Sequence, residues 1–148
     1  MADFYNVDDF ELREGVGFLL TLVRKRTMEL LEAEFSSLEL KPVQAFVLVG
    51  VANGMNTAAS FCSLLQHDPG AMTRVVDRLE KSGYLKRVRV AGDRRQARLE
   101  LTDAGRKALP KIKAGAVKAF NQMLRPLSNA ESKQLVGLLK RLAEGEAA

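Results

Sequence analysis

Two clusters of side chains in this 148-residue chain have the types and spacing that engage a polyanion. The first is Gly70, Ala71, Thr73 and Arg74, followed at helical spacing by Arg78 and Lys81. Small residues at a helix start let that end approach base edges closely, and a threonine methyl can touch a thymine methyl. Arg74 can pair bidentately with guanine or clamp a phosphate, and its residue type does not choose between them. Arg78 and Lys81 lie farther along and suit backbone phosphates. The second cluster is Asp93-Arg94-Arg95, in a polar stretch beside a glycine. Arginines carried on such a tip suit an adjacent minor groove, where narrow A·T-rich segments concentrate negative potential. Asp93 would orient an arginine or cap the turn, not touch DNA itself. Thr57, at the start of the preceding short helix, completes the set of candidate contacts.

The charge distribution points the same way. The formal net charge is +5, but residues 1–70 carry 5 basic and 10 acidic side chains, whereas residues 71–118 carry 14 and 5. Residues 119–148 carry 4 and 3, which leaves a net of +9 concentrated in the middle segment. Neutralising phosphates releases condensed counterions, so a segment of that density is what DNA binding needs. Charge alone equally describes a solvated lysine-rich face.

Other chemistries lack their residues. With one Cys and one His, the chain can form neither an internal disulfide nor a cysteine-rich zinc site. It shows no Ser/His/Asp set with a plausible partner and no Gly-rich phosphate loop, so no enzyme, metal or cofactor is expected. No apolar run approaches the ~20 residues of a bilayer span, and the acidic Met1-Ala2-Asp3-Phe4 start does not read as a signal peptide. The expectation is a soluble cytoplasmic protein with no membrane partner.

The elements that position the clusters follow from hydrophobic period. Apolar residues recur at helical spacing from Phe10 to Phe35, with Asp8 and Glu11 as a capping box. Phe18 and Leu22 lie off the main stripe, and the extra apolar surface suits a second partner, including another subunit. A second helix is predicted from Pro42 to about Ala52, and a third from Asn56 or Thr57 with Phe61, Leu64 and Leu65 inward. Asp68 and Pro69 open a fourth helix, whose Met72, Val75, Val76 and Leu79 form one apolar face.

The period then shortens to two across Leu85–Val90 and Ala97–Leu101, around a polar tip at 91–96, which predicts a β-hairpin. Thr102 caps a fifth helix to about Leu124, with Pro110 expected to kink it. Ser128 and Glu131 form a capping box for a sixth helix. Two short helices followed by a ribbon make a winged helix-turn-helix, in a mainly α fold with a small β-hairpin wing.

The run Asp77-Arg78-Leu79-Glu80-Lys81-Ser82-Gly83-Tyr84-Leu85-Lys86-Arg87, then Asp93-Arg94-Arg95, then Leu101-Thr102-Asp103-Ala104-Gly105, resembles the MarR (multiple antibiotic resistance regulator) family. The resemblance runs from the first helix to the last and is strongest over residues 57–106. It implies a homodimeric transcription regulator, with helical dimerisation regions at 8–35 and 103–148 and a winged DNA-binding lobe at 41–102, all in one domain. It further implies that Thr73 and Arg74 meet the major groove and that Arg94 enters the minor groove. Two positions depart from the family pattern: Lys41 stands where a capping Thr or Ser is common, and Phe61-Cys62 where Leu-Ala is common.

Many members bind small aromatic carboxylates or phenols, which makes Arg24, Arg26 and His67 candidate effector contacts; a solvated or salt-bridged face accounts equally for the arginines. Members that sense hydroperoxides carry their cysteine in the first helix, which has none here, so Cys62 reads as a packing residue. The expected function is therefore sequence-specific repression of a pseudo-palindromic operator of double-stranded DNA, released by a small aromatic or phenolic effector. The alternative is an architectural DNA-binding protein without strong sequence preference.

Overall fold

The computed structural model describes the backbone of residues 3–90 and 93–145, and the side chains of these except 90–96. In chain order the elements are α1 (Val16–Phe35), α2 (Pro42–Ala52), α3 (Ala58–Leu65), α4 (Pro69–Lys81), β1 (Leu85–Val90), β2 (Asp93–Leu101), α5 (Asp103–Met123) and α6 (Asn129–Glu144). Short 3-10 turns at Leu12–Glu14 and Ser36–Leu38 flank α1. No single helix among the described residues is long and apolar enough to cross a membrane.

The chain divides into two compact units, one of residues 31–116 and one of residues 1–30 with 117–148. The 31–116 unit is built around a continuous core. Leu31, Phe35, Val47, Leu48, Phe61, Met72, Val76 and Leu79 are essentially sealed from solvent. Leu85, Leu99 and Leu101 close that core from one face of an antiparallel hairpin, which pairs Leu85 with Leu101 and Arg87 with Leu99. The N–H of Leu99 also donates to the Asn56 carbonyl at 2.8 Å, tying β2 to the loop between α2 and α3.

Local chemistry sets most helix ends. Thr57 Oγ1 accepts the Ser60 N–H at 3.2 Å, Asp68 Oδ1 accepts that of Ala71 at 2.9 Å, and Thr102 Oγ1 accepts that of Gly105 at 3.1 Å. Thr102 binds back as well: its hydroxyl donates to the Gly83 carbonyl and its N–H to that of Tyr84 at 3.1 Å. The positive φ of Gly83 (76°) lets the chain turn from α4 into β1.

Three expectations need correction. The first helix begins at Val16, not Phe10, and the Asp8–Glu11 box does not form. Gly15 is extended there, and the Tyr5 hydroxyl, brought from eleven residues away, accepts the Val16 N–H at 2.9 Å. Leu64 is exposed (65 %) because the eight-residue α3 buries a stripe through Phe61 and half-buries Leu65, and Leu64 lies off that stripe. The ribbon extends farther than a 97–101 strand: β2 starts at Asp93, after a register shift beside Val90. As the period predicts, Pro110 lies inside α5, at an exposed position of the helix.

In the other unit, Ser128 and Glu131 form the capping box at α6, with the Ser128 N–H donating to Glu131 Oε2 at 2.7 Å. The Ser128 hydroxyl and N–H hold the Glu131 carboxyl below its ordinary range. The Thr27 hydroxyl donates to Met123 Sδ at 2.7 Å, joining α1 to the end of α5. Much of this unit's apolar surface is uncovered, including Phe18, Leu19, Leu22, Phe120, Leu138 and Leu142.

Candidate nucleic-acid interface

The two faces of α4 are separated by helical geometry. Met72, Val76 and Leu79 are buried at spacings of four and three; Arg74, Arg78 and Lys81 repeat that spacing two residues later. Two residues along an α-helix is about 200° of rotation, so the three cations stand on the side opposite the core. All three are exposed, as are Gly70 and Thr73, and Ala71 is half-buried. The Thr73 hydroxyl donates to the Pro69 carbonyl at 2.8 Å, which leaves its methyl group as the apolar part of the side chain.

Asp68 closes the start of this helix. The backbone N–H of Ala71 is the main cause holding its carboxyl below the ordinary range; the Gly70 N–H and the Arg74 charge add to this against a desolvation cost. A lowered native pKa means that this capping contribution is complete above the usual aspartate value of about 4 and is lost as pH falls through the native one. Thr57 plays the same structural part at α3, where its side chain is spent on the helix cap.

The far end of α4 is clamped to the ribbon. Arg87 on β1 shares the core face with Leu85 and reaches across to Asp77, at 2.5 Å, and to Glu80. Glu80 Oε1 also accepts the Arg87 N–H at 3.2 Å. Burial opposes the charge on Arg87, but the hydrogen bonds to Asp77 and Glu80 outweigh it and raise its pKa. This triad was not evident from the sequence, although an acidic pair at i, i+3 before a glycine turn and a strand arginine is its signal. Arg87→Ala is expected to lower stability by about 1–2 kcal/mol, because two carboxylates then face each other without their shared cation. Urea unfolding checks this, and rescue by the double replacement Asp77→Asn with Glu80→Gln would identify repulsion as the cause.

The side chains of Asp93, Arg94 and Arg95 lie outside the described residues; their backbone belongs to β2. On the same ribbon, Lys86 and Glu100 form a cross-strand pair at 3.2 Å.

Two recesses open on the 31–116 unit. One, of about 150 Å³, lies between the start of α2 and the exposed side of α4 and is lined by Lys41, Gln44, Ala71, Arg74 and Arg78. The other, of about 510 Å³, lies between the end of α2, β2 and the start of α5, with Val51, Asn56, Arg98, Leu101, Arg106 and Leu109 among its walls. The candidate effector contacts line neither. Arg24 is exposed on α1, Arg26 pairs with Glu29 at 3.8 Å, and His67 is half-buried after α3 with its N–H on the Cys62 carbonyl. Cys62 itself is half-buried, and among the described residues no group of three or more His, Cys, Asp or Glu could hold a metal ion.

This arrangement has close counterparts. The model of the MarR family matches residues 38–96. The HTH-type transcriptional regulator PecS of Dickeya dadantii is 35% identical over 71 residues, covering 48% of this chain and 43% of that relative. The chain thus spans less than half the length of that curated relative. A probable transcriptional regulator from Pseudomonas aeruginosa is 31% identical with a TM-score of 0.79, over 89% of this chain and 99% of that one. A cysteine-to-serine mutant of E. coli MarR, solved in complex with operator DNA, is 25% identical with a TM-score of 0.78, over 90% and 99%. A core, a clamped ribbon and a cationic helix face arranged in this way, in a chain that matches along nearly its whole length, place it in the MarR family.

Proposed function

We propose that this chain is a homodimeric transcriptional repressor that holds a pseudo-palindromic operator through α4 and the wing. The observation that carries the reading is the two-faced α4: Met72, Val76 and Leu79 anchor it, and Arg74, Arg78 and Lys81 are presented opposite. In this reading Gly70, Ala71, Thr73 and Arg74 approach base edges, Arg78 and Lys81 take phosphates, and Arg94 and Arg95 reach the minor groove. Thr57 contributes by capping α3, and Asp93 by shaping the wing. Selection of bound sites from random duplexes tests the proposal. A recovered inverted repeat with half-sites about one helical turn apart supports it. Equal affinity for random and selected duplexes favours the architectural alternative.

Dimerisation is supported by where apolar surface is left open. Of the twenty large apolar residues exposed among the described residues, eighteen lie in the 1–30 and 117–148 unit. Exposed apolar surface on that scale suits a subunit interface. Removing residues 128–148 is expected to shift the protein from dimer to monomer before the 31–116 unit unfolds. Sedimentation at graded concentrations checks this, and a stable truncated dimer would exclude α6 from the interface.

Release by a small aromatic acid or phenol forms the second half of the proposal. The recess of about 510 Å³ suits such a molecule better than the positions around Arg24, Arg26 and His67, because Arg98 and Arg106 stand there beside Leu109 and Val51. Its wall includes β2, so a bound ligand would act on the wing strand. Benzoate titration of the protein–operator complex tests release, and Arg106→Ala should blunt the response.

A further inference from the structure

Lys41 stands at the one helix start where a family-typical hydroxyl cap is replaced by a cation. Its side chain takes no part in capping: the start of α2 is closed by the Lys41 backbone N–H, which donates to Gln44 Oε1 at 2.8 Å. The ammonium group instead faces Glu32. Lys41 lines the recess of about 150 Å³ together with Arg74 and Arg78, so three cationic residues border one small concavity. Gln44 forms part of the same wall and is the buried polar residue of the core (7 % exposed). Its amide oxygen accepts the Lys41 backbone N–H. A concavity bordered by three cationic side chains and a glutamine amide is complementary to one phosphodiester oxygen pair.

The counter-charge on Lys41 is weakly held. Lys41 Nζ lies 3.5 Å from Glu32 Oε1, and both side chains are more than half exposed (67 % and 53 %). Such a pair contributes little in water and is readily exchanged for a more highly charged partner.

We propose that Lys41, with Arg74, Arg78 and the Gln44 amide, forms a phosphate cradle for the DNA backbone beside the recognition helix, and that Glu32 competes with the phosphate for Lys41. This rests on the DNA-binding reading above and adds a contact from outside the recognition helix. Lys41 thereby fixes the position of the helix on the duplex without reading sequence.

The test measures affinity for a selected duplex as a function of salt concentration in wild-type, K41Q, K41R and E32Q proteins. Each phosphate neutralised contributes about 0.9 to the slope of log K against log salt. K41Q is expected to lower that slope by about 0.9 per half-site and to weaken binding to all duplexes alike, by about tenfold at low salt. K41R should keep the wild-type slope, and E32Q should bind more tightly at low salt. A purely structural role for Lys41 would leave the slope unchanged, and an unchanged slope in K41Q overturns the proposal. So does loss of stability in K41Q that K41R does not repair.

A parallel titration with inorganic phosphate, followed through the Gln44 side-chain amide NMR signals, separates the source of the ligand. Saturation by free phosphate with no effect of K41Q on duplex binding would overturn the DNA assignment. If the wild-type protein itself binds no duplex, the DNA-binding reading fails. If Arg74→Ala weakens binding and K41Q does not alter the slope, only the cradle fails.

Discussion

Arg74→Ala is expected to weaken binding to the selected operator by about a hundredfold in the dimer, from about 1.4 kcal/mol lost in each half-site. Arg74 is exposed on α4, on the side opposite the buried Met72, Val76 and Leu79, so its removal should leave the fold intact. Circular dichroism and the unfolding midpoint should match those of the wild type. The pattern of loss then identifies what the guanidinium does. If it pairs with guanine, affinity falls mainly for the selected site and specificity relaxes at one position per half-site. If it clamps a phosphate, affinity falls alike for all duplexes and the salt slope drops by about 0.9 per half-site. Unchanged affinity would remove α4 from the interface and with it the proposed function. The position of Arg74 beside the Gly70–Asp68 start of the helix also means that its charge helps hold the Asp68 cap ionised.

Gly105→Ala is expected to produce the largest loss of stability, about 3 kcal/mol. A Cβ at this position would strike the Tyr84 carbonyl oxygen and come within 3.2 Å of both the Tyr84 carbonyl carbon and Leu101 Cδ2. None of these neighbours can yield cheaply. The Tyr84 carbonyl accepts the Thr102 N–H at 3.1 Å, and Leu101 is a buried member of the hairpin's core face. The close approach joins the end of α4, the base of the wing and the start of α5, so strain there spreads to all three. Thermal unfolding should show a fall of about 6–12 °C for a chain of this size. A midpoint within a degree or two of the wild type would show that the junction can open by a few tenths of an ångström without cost. Because the wing is anchored at this joint, DNA affinity should fall with stability, whereas in Arg74→Ala the two are separable.

What was legible in the sequence is what depends on neighbours within a turn or two. Asp68, Thr102 and Ser128 cap helices because a short oxygen-bearing side chain reaches an N–H three residues on, and that geometry is independent of the rest of the chain. The faces of α4 were equally readable, since a 3.6-residue period assigns Met72 and Arg74 to opposite sides wherever the helix packs. The fold class and family resemblance followed from those local units in order.

The departures all involve partners distant in sequence or decided by packing. Helix α1 starts at Val16, whose N–H is accepted by the hydroxyl of Tyr5, eleven residues away. Leu64 is an apolar residue at plausible helical spacing, yet which stripe α3 buries depends on where its neighbours lie.

By itself, then, the sequence determined the order and type of the elements, the caps at Asp68, Thr102 and Ser128, and the cationic face opposite an apolar one. Side-chain periodicity and capping are short-range and survive any tertiary arrangement. Only the tertiary structure decided that Arg87 joins Asp77 and Glu80 across the α4–β1 turn, that Gly105 carries the Tyr84 carbonyl against it, and that Lys41 shares a concavity with Arg74 and Arg78. Those contacts depend on how helices and ribbon close around one core, and burial of Leu85, Leu99, Leu101 and Met72 selects that closure.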